Sequence, residues 1–225
     1  MRRIPTGILT LDHVLEGGPP EGSLLVVRGG PGSGKTLFVL QSLYAGALEG
    51  QTSIYFPFDE TPQNIQWYAE RFGWDIGRLQ REKRFYIYYL AHSEYDRFKP
   101  ELISSFKERL LYIIKSTRAK RIAFDSLTTI SYFLNNPMHV RTVLKTLSEI
   151  AKDTGTLIYV TVHPGDPHMS LFEMVSDGII DLMLYEDVGG VVQRGIKITK
   201  MRATHHPLDR LPLWIEEDGI TVGEI

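Results

Sequence analysis

The chain has 225 residues, 43% of them hydrophobic and 23% charged, with a formal net charge of −2 and no cysteine. That balance excludes a disordered or fibrous chain and gives bulk electrostatics no reason to demand a nucleic-acid partner. The missing thiols exclude disulfides, thiolate metal centres and cysteine nucleophiles, and no apolar run approaches the roughly 18 residues of a membrane span.

In chain order, the first 22 residues hold turn signals at Pro5-Thr6-Gly7, Gly17-Gly18-Pro19-Pro20 and Glu21-Gly22. Met1-Arg2-Arg3 looks like the basic start of an export signal. Asp12, His13 and Glu16 interrupt the apolar stretch that would have to follow, so a cytoplasmic chain is expected. Leu24 to Val27 is a short continuous apolar run, the pattern of a strand buried in a parallel sheet. Residues 29–34 are glycine-rich, and Thr36 to Leu48 then carries apolar residues at helical spacing. Ser53 to Phe58 reads as a strand. Pro62 to Arg71 reads as a helix, with Thr61 as N-cap and Pro62 at its first position.

Arg84 to Leu90 is aromatic and β-prone. Glu101 to Thr117 is helical, with Ile103, Phe106, Leu110, Ile113 and Ile114 on one stripe. Arg121 to Phe124 is a buried strand, Met138 to Lys152 a helix, and Thr156 to Val162 a further strand. From Gly178 onward strand follows strand, over 179–185, 191–200, 212–216 and 219–223. Strand–helix alternation predicts an α/β fold: a mostly parallel central sheet with helices on both faces and an antiparallel C-terminal extension. No composition shift marks a boundary, so one domain over residues 1–225 is expected.

Gly29-Gly30-Pro31-Gly32-Ser33-Gly34-Lys35-Thr36 fits the phosphate-loop pattern G-x-x-x-x-G-K-[ST]. Glycines such as Gly30, Gly32 and Gly34 let successive backbone N–H groups face a phosphate without Cβ clashes, and the following helix adds its N-terminal donors. Lys35 would reach the β- and γ-phosphates, and Thr36 would offer its hydroxyl to magnesium. Arg121-Ile122-Ala123-Phe124-Asp125 is an apolar strand ending in aspartate. In a parallel sheet that end faces the ligand crevice, so Asp125 would join Thr36 in holding magnesium. Asp59-Glu60 closes the preceding strand; either carboxylate could polarise an attacking water, or both could lie in a solvated turn.

Two residues apart on a strand, Lys200 and Arg202 share one face. They either end a solvated strand or deliver positive charge to a transferring phosphoryl group. Thr161-Val162-His163 ends a strand beside the expected site, where His163 could sense a γ-phosphate or simply be structural. His205 and His206 point to opposite faces of a strand and do not suggest a metal. Trp67, Trp74 and the tyrosines read as core or interface rather than as platforms for a base. Lys107, Arg109, Lys115, Arg118, Lys120 and Arg121 read as a solvated helix face, with nucleic-acid binding the less favoured alternative.

Taken in order, these segments resemble the KaiC-like branch of the RecA superfamily over almost the whole chain. The match opens with Arg3-Ile4-Pro5-Thr6-Gly7-Ile8, Leu11-Asp12 and Gly17-Gly18, and runs into the phosphate loop. It continues through Phe58-Asp59-Glu60-Thr61-Pro62-Gln63, Phe72-Gly73-Trp74-Asp75 and Phe124-Asp125-Ser126-Leu127-Thr128. It ends at Lys200-Met201-Arg202 with Thr204 and His206. The resemblance implies a RecA-like ATPase assembled into a ring, usually a hexamer, with ATP at each subunit boundary. By position it implies that Gly32, Ser33, Gly34, Lys35, Thr36 and Leu37 bind phosphates, that Asp59 falls at the general base, and that Arg71 approaches the adenine. It also implies that Lys200, Arg202, Thr204 and His206 reach a neighbour's nucleotide.

The family usually has Glu-Glu where this chain has Asp59-Glu60, so Glu60 could share or take the base role. The family's clock member carries two such domains in tandem, and its phosphorylated segment has no match here. Clock function and autokinase activity therefore do not follow. The expectation is an ATP- and magnesium-dependent ATPase acting as a homo-oligomer. One alternative is a nucleic-acid-binding accessory ATPase resembling the recombinase paralogues, against which the loop Pro164 to Ser170 is short and has no Lys or Arg. The other is a module whose ATP switches capture of an unknown protein partner.

Overall fold

The computed structural model describes residues 1–224. Six strands run parallel: β1 (Leu24–Gly29), β2 (Thr52–Pro57), β3 (Phe85–Ile87), β4 (Ala119–Asp125), β5 (Leu157–Val162) and β6 (Gly178–Glu186). Then β7 (Val192–Met201), β8 (Leu211–Ile215) and β9 (Ile220–Val222) add an antiparallel meander. The sheet order is β3-β2-β4-β5-β1-β6-β7-β8-β9. The helices are α1 (Leu9–Val14), α2 (Lys35–Leu48), α3 (Pro62–Arg71), α4 (Ile76–Arg81), α5 (Ile103–Thr117), α6 (Leu127–Leu134), α7 (Pro137–Thr154) and α8 (Met169–Val175). A 3₁₀ helix spans His92–Phe98. Among the described residues no helix is long and apolar enough to cross a membrane.

The central strand β1 shows why the sheet needs helices on both faces. Successive side chains alternate, so Leu25 and Val27 join one core with Phe38 and Leu43 of α2 and Leu79 of α4. Leu24 and Val26 join the other core, with Leu110 of α5 and Leu144 and Leu147 of α7. All four β1 residues are fully buried, each contributing about 1.5–3 kcal/mol. The longest helix, α7, starts where the Asn136 side chain accepts from the Met138 and His139 amides at 2.9 and 3.3 Å. It stops at Gly155, whose φ of 64° suits a residue without Cβ.

The departures from the sequence reading are local. The strand expected over Arg84 to Leu90 shrinks to Phe85–Ile87, because the chain leaves the sheet edge for the 3₁₀ helix. The short helices α1, α4, α6 and α8 were not expected. Six to eight residues give too few turns for a clear apolar stripe. Side-chain caps define two of them, Asp75 accepting from the Arg78 amide at 2.7 Å and Ser126 from the Thr128 amide at 3.3 Å. Arg121 is not on a solvated face. It is fully buried, donating to the Ser42 carbonyl at 2.7 Å and to Gln51 at 3.0 Å. Trp74 is core, as read, but Trp67 is 69% exposed and belongs to neither core.

Candidate functional site

Strand β1 delivers the chain to the C-terminal edge of the sheet, and residues 30–34 turn it into α2. Gly29 cannot carry a side chain, since a Cβ would lie 2.3 Å from Ser33 Oγ and 2.5 Å from the Leu182 carbonyl. Gly32 and Gly34 hold φ of 72° and 100°, left-handed values natural to glycine. Gly34 is the N-cap of α2, so the loop presents the helix's first free amides to the space above it. The Lys35 ammonium donates to the Gly30 carbonyl at 3.0 Å. Burial lowers its pKa, while the charge of Asp125 opposes that shift. The Ser33 hydroxyl is buried and has no protein partner.

Strand order brings the second acidic residue to this loop. Asp125 ends β4, and Thr36 donates its hydroxyl to Asp125 Oδ2 at 2.7 Å. Tyr55 of β2 donates to the same oxygen at 2.6 Å, and Thr161 of β5 donates to Oδ1. Tyr55 is fully enclosed; burial, then the neighbouring carboxylate, pushes its pKa well above the usual tyrosine value. Three strands thus fix one carboxylate that is only 8% exposed.

The two carboxylates after β2 are held differently. Glu60 turns toward α3, accepting from Asn64 Nδ2 at 2.8 Å and from the Tyr68 hydroxyl at 3.2 Å. Asp59 turns toward α6, where the Thr129 hydroxyl lies 2.8 Å from each carboxylate oxygen. Asp59 stands on the accessible rim, yet partial enclosure raises its pKa; the Thr129 hydroxyl pulls it down and the charge of Asp125 pushes it up.

A cleft of about 980 Å³ opens beside the loop. Its walls combine Gly32, Gly34, Lys35 and Thr36 of the loop and helix start with Leu37, Leu40, Glu60, Trp67, Tyr68, Glu70, Arg71, Phe72 and Ile215. Ile215 comes from β8 and nearly touches the position of a Gly34 Cβ, at 3.5 Å. The Trp74 indole donating to the Asp218 carbonyl at 3.0 Å, and Gln41 bonded twice to the backbone of Ile220, hold the β8–β9 hairpin there. The sequence reading had Arg71 and Leu37 at this cleft but not Leu40, Phe72 or Ile215. Trp67, read as core or interface, is not core: it is exposed and lines the cleft.

Lys200, Arg202, Thr204 and His206 lie elsewhere. Gly178 pairs with Leu25 at the start of β1, whereas Leu182 pairs with Gly29 beside the loop. Lys200 pairs with Ile179 and Met201 with Gly178, so Lys200 and Arg202 stand at the end of the sheet opposite the phosphate loop, about 13 Å away along β6 alone. The expected strand face is also broken. β7 ends at Met201, and Arg202 starts a turn in which Ala203 has φ of 54°. Lys200 donates to the Glu173 and Ser176 carbonyls at 2.7 and 2.6 Å, and Arg202 to Asp177 at 3.1 Å. Thr204 accepts from Arg3 at 2.7 Å, and the His206 ring contacts the Pro207 carbonyl at 3.0 Å. His163, read as a possible sensor, accepts the Gly165 amide on Nδ1 at 3.0 Å and so braces its own turn. Sequence reasoning missed Tyr55, Thr129 and Arg194, the last donating to the Gly32 carbonyl at 3.2 Å.

A glycine loop running from a central parallel strand into a helix, with the strand next but one ending in an aspartate that meets the motif's threonine, defines a RecA-like P-loop protein. The chain belongs to the KaiC family of ATPases, matching the family described as "ATPase: KaiC" over residues 4–225. A UPF0273 protein of Pyrococcus furiosus is 32% identical over 244 residues, covering 99% of this chain and 94% of that one. A UPF0273 protein of Methanocaldococcus jannaschii is 34% identical over 242 residues, with 99% and 96% covered. The circadian clock protein KaiC2 of Synechocystis is 32% identical over 226 residues, covering 98% of this chain but 40% of KaiC2. The crystal structure of a KaiC-like protein from Pyrococcus horikoshii matches with a TM-score of 0.84 at 30% identity, covering 99% of both chains.

Proposed function

We propose that the protein binds ATP with magnesium and hydrolyses it as a cytoplasmic homo-oligomeric ring, the family's usual hexamer, with each site completed by a neighbouring subunit. The observation that carries the nucleotide reading is the contact between Thr36 and Asp125 beside the left-handed glycines of the loop. A hydroxyl and a nearly buried carboxylate supply hard oxygen donors of the kind magnesium takes in nucleotide sites. The unpartnered Ser33 hydroxyl and the open space around the Cβ positions of Gly30 and Gly32 suit a phosphate lying close to the backbone. The aromatic and aliphatic residues in the cleft wall, Trp67, Tyr68, Phe72, Leu37 and Ile215, suit a base, with Arg71 among them.

In this reading Lys35, desolvated and already drawn into the loop, transfers its donors from the Gly30 carbonyl to the β- and γ-phosphates. Thr36 and Asp125 hold magnesium, which when bound spreads the charge developing on the phosphate oxygens. The carboxylate pair orients a water: one carboxylate takes its proton as the oxygen bonds to the γ-phosphorus. The β,γ-bridging bond then breaks and its electron pair leaves with ADP. Lys200 and Arg202 serve a neighbour's site, with Thr204 and His206 beside that nucleotide. Their placement at the far end of the sheet supports this, since they cannot reach the loop of their own chain.

The nucleic-acid alternative loses support from the basic run at 107–121. Lys107 pairs with Glu149, Lys120 with Glu21, and Arg121 is buried. Replacing Lys35 by alanine tests the reading. The ligand is lost and the core is untouched, so a folded variant should lose roughly 100-fold or more in ATP affinity by calorimetry. Unchanged affinity would refute nucleotide binding at this loop.

A further inference from the structure

The strand order places a hydroxyl on the carboxylate pair that the nucleotide reading leaves unexplained. β2 and β4 are neighbours, paired from Ser53↔Arg121 to Pro57↔Asp125, and the Phe58 amide extends that ladder to the Asp125 carbonyl at 2.8 Å. The two strands therefore release their chains side by side at the edge above the loop. Two residues on from β2 comes Asp59; four residues on from β4, in the first turn of α6, comes Thr129. The Thr129 hydroxyl lies 2.8 Å from both oxygens of Asp59. Glu60 points the other way and is held by Asn64 and Tyr68 of α3.

The geometry points to Thr129 as a positioning residue: its hydroxyl fixes the Asp59 carboxylate as the group that activates water, and leaves Glu60 as a brace for α3. This rests on the ATPase reading above and deepens it. An aspartate is one methylene shorter than the glutamate usual in the family, so its carboxylate commands less reach and gains more from a fixed direction. A hydroxyl sharing its proton between both oxygens restrains rotation about the terminal torsion, which is otherwise broad. The tether also has a mechanical meaning. Ser126, the N-cap of α6, follows Asp125 directly, so the segment that would help hold the metal also steers the base.

The charged and titratable groups around Asp59 are Asp125 at the end of β4, Glu60 on its own loop, Tyr55 from β2 and Tyr95 from the 3₁₀ helix. The first two carboxylates raise the Asp59 pKa, as does burial; the Thr129 hydroxyl and the Ser126 amide lower it. Removing the hydroxyl therefore raises it further, and the acid limb of turnover moves to higher pH.

The test is Thr129→Val, nearly isosteric at a half-buried position, with Thr129→Ser as the conservative partner and Asp59→Asn as the control. ATP turnover is followed against pH on the intact chain, and ATP affinity is measured separately. Thr129→Val should lower kcat roughly 10- to 100-fold, the scale of a hydrogen bond to a charged group, with ATP affinity within about twofold of the parent. Its acid limb should move upward, and Thr129→Ser should restore both rate and limb. In an Asp59→Asn background, Thr129→Val should add nothing. If Asp59→Asn abolishes turnover but Thr129→Val leaves rate and pH profile unchanged, the positioning role is wrong and the ATPase reading stands. If Asp59→Asn turns over normally, Asp59 is not the base and both the assignment and the positioning role fall. If no variant, nor the parent, hydrolyses ATP, the ATPase reading itself fails.

Discussion

The chain holds its phosphate loop at one end of the sheet and Arg202 at the other. If the proposed ring forms, a subunit therefore contributes to two different nucleotide sites, giving a loop to one and a cation to the next. Take two inactive parents, Lys35→Ala and Arg202→Ala, and exchange them at equal proportions. A working site needs an intact loop, which only the Arg202→Ala subunit has, and an intact Arg202 from its neighbour, which only the Lys35→Ala subunit has. Random assembly pairs them in that order at one boundary in four, so recovery should approach roughly a quarter of wild-type turnover. The fold should survive both changes: Lys35 bonds only the Gly30 carbonyl, and Arg202 holds one half-exposed ion pair with Asp177, worth about 1 kcal/mol or less. The assay is steady-state phosphate release after subunit exchange, with exchange verified by energy transfer between labelled subunits. Absence of recovery after verified exchange would refute action between subunits, because no site in either parent can supply both groups.

Replacing Asp59 and Glu60 together by their amides should preserve ATP binding by calorimetry and remove most turnover in a phosphate-release assay. Asp59 also carries a stability signature. Its pKa is raised in the folded state, so the folded chain binds a proton more readily than the unfolded one. Its contribution opposes folding above the ordinary aspartate range and fades as pH falls through that range. Asp59→Asn should therefore unfold at a slightly higher temperature than the parent at neutral pH and at the same temperature in acid, by calorimetric scanning. Arg121→Ala should lower stability by about 3 kcal/mol or more in urea unfolding. It empties a fully buried site and strips the Ser42 carbonyl and Gln51 of their donor.

Long elements were legible because they repeat their signal. β1 declares itself through four consecutive apolar residues, and α7 through a stripe carried over several turns. The loop at residues 29–36 was legible because all of its parts are contiguous, and Asp125 because it ends an apolar run. Thr129, Tyr55 and Ile215 were not. Each reaches the site from a different element, and only the lateral order of strands brings them there; no local pattern encodes that order. Arg121 misled for the opposite reason. It closes a run of basic residues in sequence, but strand β4 turns it inward beneath α2, where a Cβ on Gly46 would strike its guanidinium at 2.3 Å. The far placement of Lys200 and Arg202 likewise follows from β7 running antiparallel to β6, a direction that residue spacing alone does not disclose.

The position of β1 in the sheet bears on how the chain is made. The strand emerges early in synthesis, yet its two lateral partners are β5 and β6, the first of which begins at Leu157. Until more than half the chain has followed, the backbone groups of Leu24 to Gly29 have no ladder to join, and the loop they carry has no fixed base. β2 and β4 meet sooner, so the Asp125 side of the site can take shape first. Pairing β1 with β5 closes a longer stretch of chain than pairing β2 with β4 and so carries the larger loop-closure entropy cost. The phosphate loop, though made early, gains the lateral strands that support its base only once β5 and β6 have been added.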